Sequence, residues 1–119
     1  MPRRPDGALE SEILAVLWGT DRALTPGEVR DRLPAELAYT TVMTVLGRLV
    51  DKGLLSRAPR GRAFAYRPAL SQAELTARRM TDALAATRDR ASALTGFVGG
   101  LSKRDARILR RVIDDLDAR

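Results

Sequence analysis

The chain has 119 residues, enough for one domain or for one small domain with an extension. It contains no cysteine and no histidine, which excludes disulfides and thiol chemistry and removes the usual zinc and haem ligands and the commonest general base. Its net charge of +6 favours a polyanionic partner, and no apolar run approaches the roughly 20 residues of a membrane-spanning helix. We therefore expect a cytoplasmic protein that is not an enzyme, binds no metal or cofactor and does not insert into a membrane.

The first two helices are indicated by apolar spacing and by helix-start chemistry. Residues 7–18 are predicted to form a first helix, because their apolar side chains recur on one helical face: Leu9, Ile13, Val16 and Leu17. The segment Thr25-Pro26-Gly27-Glu28 has a hydroxyl, a proline and an acid at the positions of a capped helix start, which predicts a second helix over residues 26–33. Leu24 is expected to form a short bridging strand.

Residues 39–53 predict a third helix with two different faces. Its apolar stripe consists of Val42, Val45, Leu46, Leu49 and Val50, and the opposite side carries Thr40, Thr41, Thr44, Arg48 and Asp51. Short hydroxyl side chains followed by an arginine suit a helix laid close to a DNA major groove, although one such stripe alone is also typical of an ordinary surface helix. Gly47 either permits a close approach to this helix or is simply tolerated. Gly53 is expected to end the helix.

After the third helix, the pattern changes from helical to alternating. Residues 54–58 and 63–67 predict two strands joined through a basic loop, Pro59-Arg60-Gly61-Arg62. Phe64 and Tyr66 share one face of the second strand and are expected to point at the helices. The sequence therefore predicts a β-hairpin with a basic tip.

Most of the excess positive charge lies in this part of the chain. Residues 48–67 contain a single acid, Asp51, and six basic residues: Arg48, Lys52, Arg57, Arg60, Arg62 and Arg67. The remaining sequence is close to neutral, as expected of an ordinary solvated surface. A basic stretch directly after the candidate helix predicts a localised contact with phosphates.

Three helices followed by a basic hairpin is the order of a winged helix-turn-helix, in which the third helix enters the major groove and the wing reaches the adjacent backbone or minor groove. We therefore expect a mainly α fold with a small antiparallel hairpin that binds double-stranded DNA. The predicted DNA-binding residues are Tyr39, Thr40, Thr41, Met43, Thr44 and Arg48 on the helix and Arg60 and Arg62 on the wing.

The remainder of the chain predicts a helical dimerisation region over residues 71–119, after a winged-helix domain over residues 1–70. Ser71 and Ser102 are each followed by an acid three residues later, which indicates two further helix starts. The apolar residues expected at the dimer contact are Leu75, Met80, Leu84, Leu94, Phe97, Val98, Leu101, Ile108, Leu109, Val112, Ile113 and Leu116. A region this small cannot cover them alone, so a homodimer on a palindromic operator is expected; the alternative is a monomer whose tail folds back onto the winged helix.

The segments Leu37-Ala38-Tyr39-Thr40-Thr41-Val42-Met43-Thr44-Val45-Leu46-Gly47-Arg48-Leu49, Lys52-Gly53-Leu54 and Phe64-Ala65-Tyr66 resemble the penicillinase repressor family of the BlaI/MecI type. The resemblance covers nearly the whole chain. It implies a dimeric transcriptional repressor with an N-terminal winged helix, an inverted-repeat operator and a C-terminal helical dimerisation region.

The resemblance also implies a mode of regulation. In this family, repression is commonly relieved when a membrane-embedded β-lactam sensor protease triggers cleavage of the repressor. The family's cleavage site corresponds to Gly96-Phe97 in this chain, where glycine replaces the asparagine that commonly precedes the phenylalanine. The cysteines of a related copper-responsive branch are absent here.

Two rival classes remain open at the level of sequence. A winged helix that serves only as a protein-interaction module does not require a basic hairpin and would show no salt-sensitive DNA binding. An enzyme is less well supported, because no histidine is available to activate the candidate nucleophiles and no glycine-rich phosphate loop is present. Those nucleophiles, Ser56, Ser71, Ser92 and Ser102, are better explained as helix caps and turn residues.

Overall fold

The computed structural model describes residues 6–34 and 36–119. Within these ranges the chain forms six helices and one antiparallel hairpin, which confirms the predicted mainly α winged-helix class. The elements are α1 (Asp6–Trp18), α2 (Pro26–Asp31), α3 (Tyr39–Asp51), β1 (Leu55–Arg60), β2 (Ala63–Pro68), α4 (Gln72–Ala86), α5 (Arg90–Gly99) and α6 (Lys103–Asp117). The chain divides into two compact units, of which the first ends at Thr76 and the second runs from Ala77 to Arg119.

The first unit has one hydrophobic core between its helices and the base of the hairpin. The largest fully buried side chains are Ile13, Leu14, Leu17, Leu24, Val29, Val42, Leu46 and Leu49. Leu24 exchanges two backbone hydrogen bonds with Tyr66, with N–O distances of 2.9 and 2.7 Å, so the predicted bridging strand is confirmed. Trp18 packs against this core and donates from Nε1 to the carbonyl of Leu70 at 2.9 Å. Burial of these apolar side chains is the main favourable term in the stability of the unit.

Side-chain caps begin three of the helices where the sequence predicts them. The hydroxyl of Thr25 accepts from the backbone N–H of Glu28, whose carboxylate accepts from the N–H of Thr25 at 3.0 Å, and this completes a capping box at α2. Ser71 forms the same kind of reciprocal pair at the start of α4. The hydroxyl of Ser102 accepts from the backbone N–H three residues later at 3.0 Å, at the start of α6.

The ends of α2 and α3 are set by a proline and a glycine. α2 ends at Asp31, two residues earlier than predicted, because the residue before Pro34 disfavours the helical backbone. α3 ends before Gly53, whose φ of 76° lies in the left-handed region. Leu54 then donates back to the carbonyl of Leu49 at 2.9 Å, as in a Schellman motif, so the predicted stop at Gly53 is confirmed.

The hairpin turn is tighter than predicted. β1 continues through Pro59 and Arg60, which the sequence placed in the loop, and Arg60 pairs with Ala63. Only Gly61 and Arg62 remain in the turn, and the φ of 62° at Gly61 is that of a type II′ turn. Pro59 is tolerated in β1 because this strand lies at the edge of the sheet, where one N–H has no ladder partner to satisfy.

Phe64 does not point at the helices, contrary to the prediction. Tyr66 is 2% exposed, whereas Phe64 on the same face of β2 is 41% exposed. The difference arises because Phe64 lies two residues nearer to the turn, opposite Pro59, where the hairpin has left the core. The guanidinium of Arg57 covers the Phe64 ring instead, 4.4 Å from its centroid.

The second unit buries none of its residues. It comprises the later turns of α4 together with α5 and α6. Asp89 caps the start of α5, because its carboxylate accepts from the backbone N–H of Ser92 at 3.0 Å. The sequence prediction did not identify this helix start. Leu75 was predicted to lie in the dimerisation surface, but it is 4% exposed in the core of the first unit because the opening turn of α4 packs there.

Candidate nucleic-acid interface and dimerisation surface

The exposed face of α3 carries the predicted DNA-binding side chains. Val42, Val45, Leu46 and Leu49 are buried, and the residues on the other side of the helix are exposed: Thr40, Thr41, Met43, Thr44 and Arg48. The guanidinium of Arg48 makes no hydrogen bond or ion pair with any other described residue. α3 therefore presents short polar groups and one unpaired cation on a single face.

Thr44 is constrained by its own helix. Its hydroxyl donates to the carbonyl of Thr40 at 2.9 Å, so its proton is occupied. The hydroxyl oxygen and the methyl group remain available on the exposed face. Thr44 can therefore accept a hydrogen bond from a base or contact a thymine methyl while it keeps this geometry.

The N-terminus of α3 differs from those of α2, α4 and α6. Its N-cap is Ala38, which has no side chain to accept from the first backbone N–H groups. Tyr39 and Thr40 occupy the first two helical positions with their side chains exposed, and the guanidinium of Arg30 lies 5.7 Å from the centroid of the Tyr39 ring. Backbone N–H groups at a helix start without a side-chain cap suit an anion such as a phosphate.

Gly47 also lies on α3, and its environment is open. A Cβ at this position would meet no atom within 4 Å, so packing within the described part of the chain does not require glycine. The remaining explanations are a close approach of DNA to the helix and simple tolerance.

The basic stretch divides into paired and unpaired side chains. Lys52 donates to both carboxylate oxygens of Glu10 at 2.9 Å, which ties the end of α3 to α1. Arg60 is ion-paired with Glu28 and donates to the carbonyl of Ala23 at 3.1 Å. The other four basic side chains make no ion pair or hydrogen bond with described residues: Arg48, Arg57, Arg62 and Arg67.

Glu28 is the acid that forms ion pairs with both Arg60 and Arg22. The hydrogen bond from the backbone N–H of Thr25 is the largest cause that lowers the pKa of Glu28. Together with the Thr25 hydroxyl and the charges of Arg60 and Arg22 it outweighs the opposing effect of burial, so this pKa is about 2. Arg22 completes the cluster, with its Nη2 atom 3.1 Å from Oε2 of Glu28. Glu28 is therefore charged at any physiological pH and remains available to Arg60.

The predicted dimerisation residues other than Leu75 lie at least partly exposed in the second unit. Leu84, Leu101 and Leu109 are half-buried, and the others are 46–58% exposed: Met80, Leu94, Phe97, Val98, Ile108, Val112, Ile113 and Leu116. α4 and α5 enclose an apolar groove of about 460 Å³ lined by Met80, Thr81, Ala83, Leu84, Thr87, Ala93, Leu94 and Phe97. The second unit thus has more apolar surface than it covers.

The candidate cleavage site lies within a helix. Gly96 and Phe97 are both exposed in α5, and the N–H of Gly100 donates to the carbonyls of both residues at 3.1 and 3.2 Å. This geometry exposes the side chain of Phe97 while the peptide bond before it remains helical.

Among the described residues, no group of acids is arranged to hold a metal ion, and no helix has the length and apolarity needed to cross a bilayer. The fold and the polar face of α3 define a class of protein, the winged-helix transcriptional regulators that bind DNA.

Sequence comparison identifies the family within this class. Residues 7–115 match the model of the penicillinase repressor family. The transcriptional regulator BlaI of Mycobacterium tuberculosis is 40% identical over 117 residues, which cover 94% of this chain and 85% of that protein. The chain belongs to the penicillinase repressor family and is a sequence-specific DNA-binding repressor.

Two solved structures are similar to part of this chain. The DNA-binding domain of the repressor BlaI matches with a TM-score of 0.50 at 29% identity, over 61% of this chain and 88% of that one. Monomeric Bacillus licheniformis BlaI in complex with the blaP half-operator matches with a TM-score of 0.47, at the same identity and coverage.

Proposed function

We propose that the protein binds an inverted-repeat operator as a homodimer and represses β-lactam-responsive genes, such as those of a β-lactamase or a penicillin-binding protein. The observation that carries the proposal is the exposed polar face of α3, where Thr41, Thr44 and Arg48 lie opposite a buried apolar stripe. The name of the family supports the choice of genes.

The side chains of α3 have separate roles in this proposal. Arg48 contacts a guanine edge or a phosphate, because its guanidinium has no competing partner among the described residues. Thr41 and Thr44 contact base edges, and Met43 covers a thymine methyl. Tyr39 and Thr40 hold a phosphate at the uncapped helix start.

Selection from a random pool of DNA duplexes with the full chain tests sequence-specific binding. We expect a defined motif to be enriched and its affinity to fall steeply as salt is raised, because bound phosphates release counterions. If the fold served only as a protein-interaction module, no motif would emerge and any residual DNA binding would be insensitive to sequence.

The homodimer is supported by the burial pattern of the second unit. Apolar stripes that are left exposed along α5 and α6 cannot stabilise isolated helices of 10 and 15 residues in water. A second copy provides matching apolar surfaces by symmetry, as is usual in closed dimers. Sedimentation at micromolar concentration tests this, with two chains per particle expected and a single chain contradicting it.

Induction is proposed to follow cleavage between Gly96 and Phe97 by a system that includes a membrane-embedded β-lactam sensor protease. A cut within α5 would remove Phe97, Val98 and all of α6 from the rest of the apolar surface, and the dimer would be lost. N-terminal sequencing of fragments from β-lactam-treated cells tests the proposal. Fragments beginning at Phe97 support it, and an intact repressor on induced promoters contradicts it.

A further inference from the structure

The arginines of the wing have different surroundings. Arg60 is directed at the first unit itself, since it contacts Glu28 at the start of α2 and the carbonyl of Ala23 before it. Arg57 lies across the ring of Phe64 and makes no hydrogen bond or ion pair with any described residue. The sequence alone predicts Arg60, beside Arg62, as a DNA contact.

The contacts of Arg60 connect the tip of the hairpin to the helix-turn-helix. An isolated exposed ion pair is weak, but this one is not isolated. The capping box with Thr25 and the ion pair with Arg22 hold the carboxylate of Glu28 in place independently of Arg60. A second donor of Arg60 reaches the carbonyl of Ala23, which fixes the guanidinium in two places. Transfer of Arg60 to a phosphate would break both contacts.

Arg57 has the opposite arrangement. Its guanidinium stacks on Phe64 at 4.4 Å, which holds the side chain in one place while its N–H groups remain unpaired within the described chain. A stacked guanidinium loses little conformational freedom when it binds a phosphate, because its position is already restricted. The same contact explains why an aromatic ring stands 41% exposed near the tip of the wing.

We propose that Arg57, held on Phe64, is the wing residue that joins Arg62 in contacting DNA phosphates, and that Arg60 is a positioning residue which fixes the wing through Glu28. The proposal rests on the proposed operator binding and assigns the roles of particular wing residues within it.

The salt dependence of operator affinity distinguishes the two roles. Each lost phosphate contact lowers the slope of log affinity against log salt by about 0.9, which makes the loss of affinity between 50 and 200 mM salt about 3.5-fold smaller. We expect this change for Arg57→Ala and for Arg62→Ala. Arg60→Ala is expected to weaken binding by the same factor at every salt concentration. An unchanged slope for Arg57→Ala, or a reduced slope for Arg60→Ala, overturns the proposal.

Glu28→Gln tests the role of Arg60 without altering any wing residue. Glutamine keeps the capping box but removes the charge that holds Arg60. Asp31→Asn is the matched control, because Asp31 is exposed on the same helix and makes no ion pair with described residues. If Arg60 positions the wing, Glu28→Gln binds the operator more weakly than Asp31→Asn. Equal or tighter binding by Glu28→Gln contradicts this, because it would mean that Glu28 only competes with DNA for Arg60.

Phe64→Leu tests the support of Arg57. We expect it to weaken operator binding in the native chain and to have no further effect in the Arg57→Ala background. Unchanged affinity in the native chain overturns the role of Phe64. Thermal unfolding of each variant reports the fold, and if Arg60→Ala does not fold, Glu28→Gln carries that part of the test. Salt-insensitive binding by the native chain would instead refute operator binding itself.

Discussion

The two units of the molecule differ in how far their apolar side chains are buried. In the first unit, the apolar faces of α1, α2 and α3 meet one another, and Ile13, Val29 and Leu46 are fully buried. In the second unit, the stripes of α5 and α6 remain about half exposed, from 46% at Leu94 to 58% at Leu116. The first unit therefore covers its apolar side chains within one chain, whereas the proposed dimer would cover those of the second unit with a partner surface.

A charge within the apolar stripe of α6 tests whether the second unit forms the dimer contact. Val112→Asp places a charge in the middle of the α6 stripe, where burial in a dimer leaves it unpaired. We expect monomers in sedimentation at micromolar concentration and a partial loss of helical signal, with the first unit still folded. Arg107→Gln changes the net charge by the same amount on the opposite face of α6 and should remain dimeric. A dimeric Val112→Asp would show that the α6 stripe does not form the dimer contact.

A core truncation tests the first unit. Leu46→Ala removes a fully buried side chain and is expected to lower the free energy of unfolding by about 2–5 kcal/mol, because a cavity remains. Denaturant unfolding of the full chain, followed through the transition of the first unit, measures this change in free energy. Leu94→Ala is the matched substitution in the second unit and should leave that transition unchanged. A shift of similar size in both variants would mean that the two units fold as one.

Arg48→Ala separates DNA binding from folding. Arg48 is exposed and has no partner among the described residues, so its loss should leave the unfolding transition in place. Operator affinity is expected to fall by about 1–3 kcal/mol, the value of one base or phosphate contact by an arginine. Titration with the selected duplex measures the change, and Arg107→Ala serves as a control of equal charge. Retained affinity would remove Arg48 from the interface.

One helix in each unit contains a glycine that packing does not require, Gly47 in α3 and Gly96 in α5. A Cβ at Gly96 or at Gly47 would meet no atom within 4 Å, so alanine should stabilise either helix by about 1 kcal/mol. Gly96→Ala is expected to slow limited proteolysis by an enzyme that cuts at aromatic residues, because α5 must open locally before Phe97 can enter an active site. Gly47→Ala should not change that rate. If Gly47→Ala also leaves operator affinity unchanged, DNA does not approach α3 closely at this position.

The stability of the first unit is expected to depend weakly on pH through Glu28. The folded-state pKa of Glu28, at about 2, is lower than its ordinary value of 4.5, so the carboxylate stabilises the first unit above that value and loses its contribution as the pH falls towards 2. Glu28→Gln should unfold with a shallower pH dependence over this range than the native chain. Identical acid profiles would show that the cluster around Glu28 contributes no measurable stability.

Local chemistry accounts for what the sequence predicted correctly. The caps at Thr25, Ser71 and Ser102 join residues three apart, and the stop at Gly53 depends on one backbone angle. The two faces of α3 follow from helical spacing alone. Such features need no knowledge of the tertiary structure.

Features that depend on distant residues were missed. The partner of Arg60 lies 32 residues earlier in the chain, so no local pattern marks this arginine as different from Arg57. Phe64 and Tyr66 lie on the same face of β2, so their spacing predicts that both are buried. Phe64 is exposed because it lies nearer to the turn, beyond the edge of the core. Leu75 belongs to a helical apolar pattern, but the first turn of its helix packs into the first unit.

The number of chains bound to the selected operator tests whether the protein binds DNA as a homodimer. Sedimentation of the complex with a duplex containing the whole motif, and with a duplex cut to one half, gives this number for each. We predict two chains on the whole motif, with half-sites separated by one helical turn of about 10 base pairs or a multiple of it, and much weaker binding to the half. One chain bound with equal affinity to both duplexes would show that the protein does not bind its operator as a dimer.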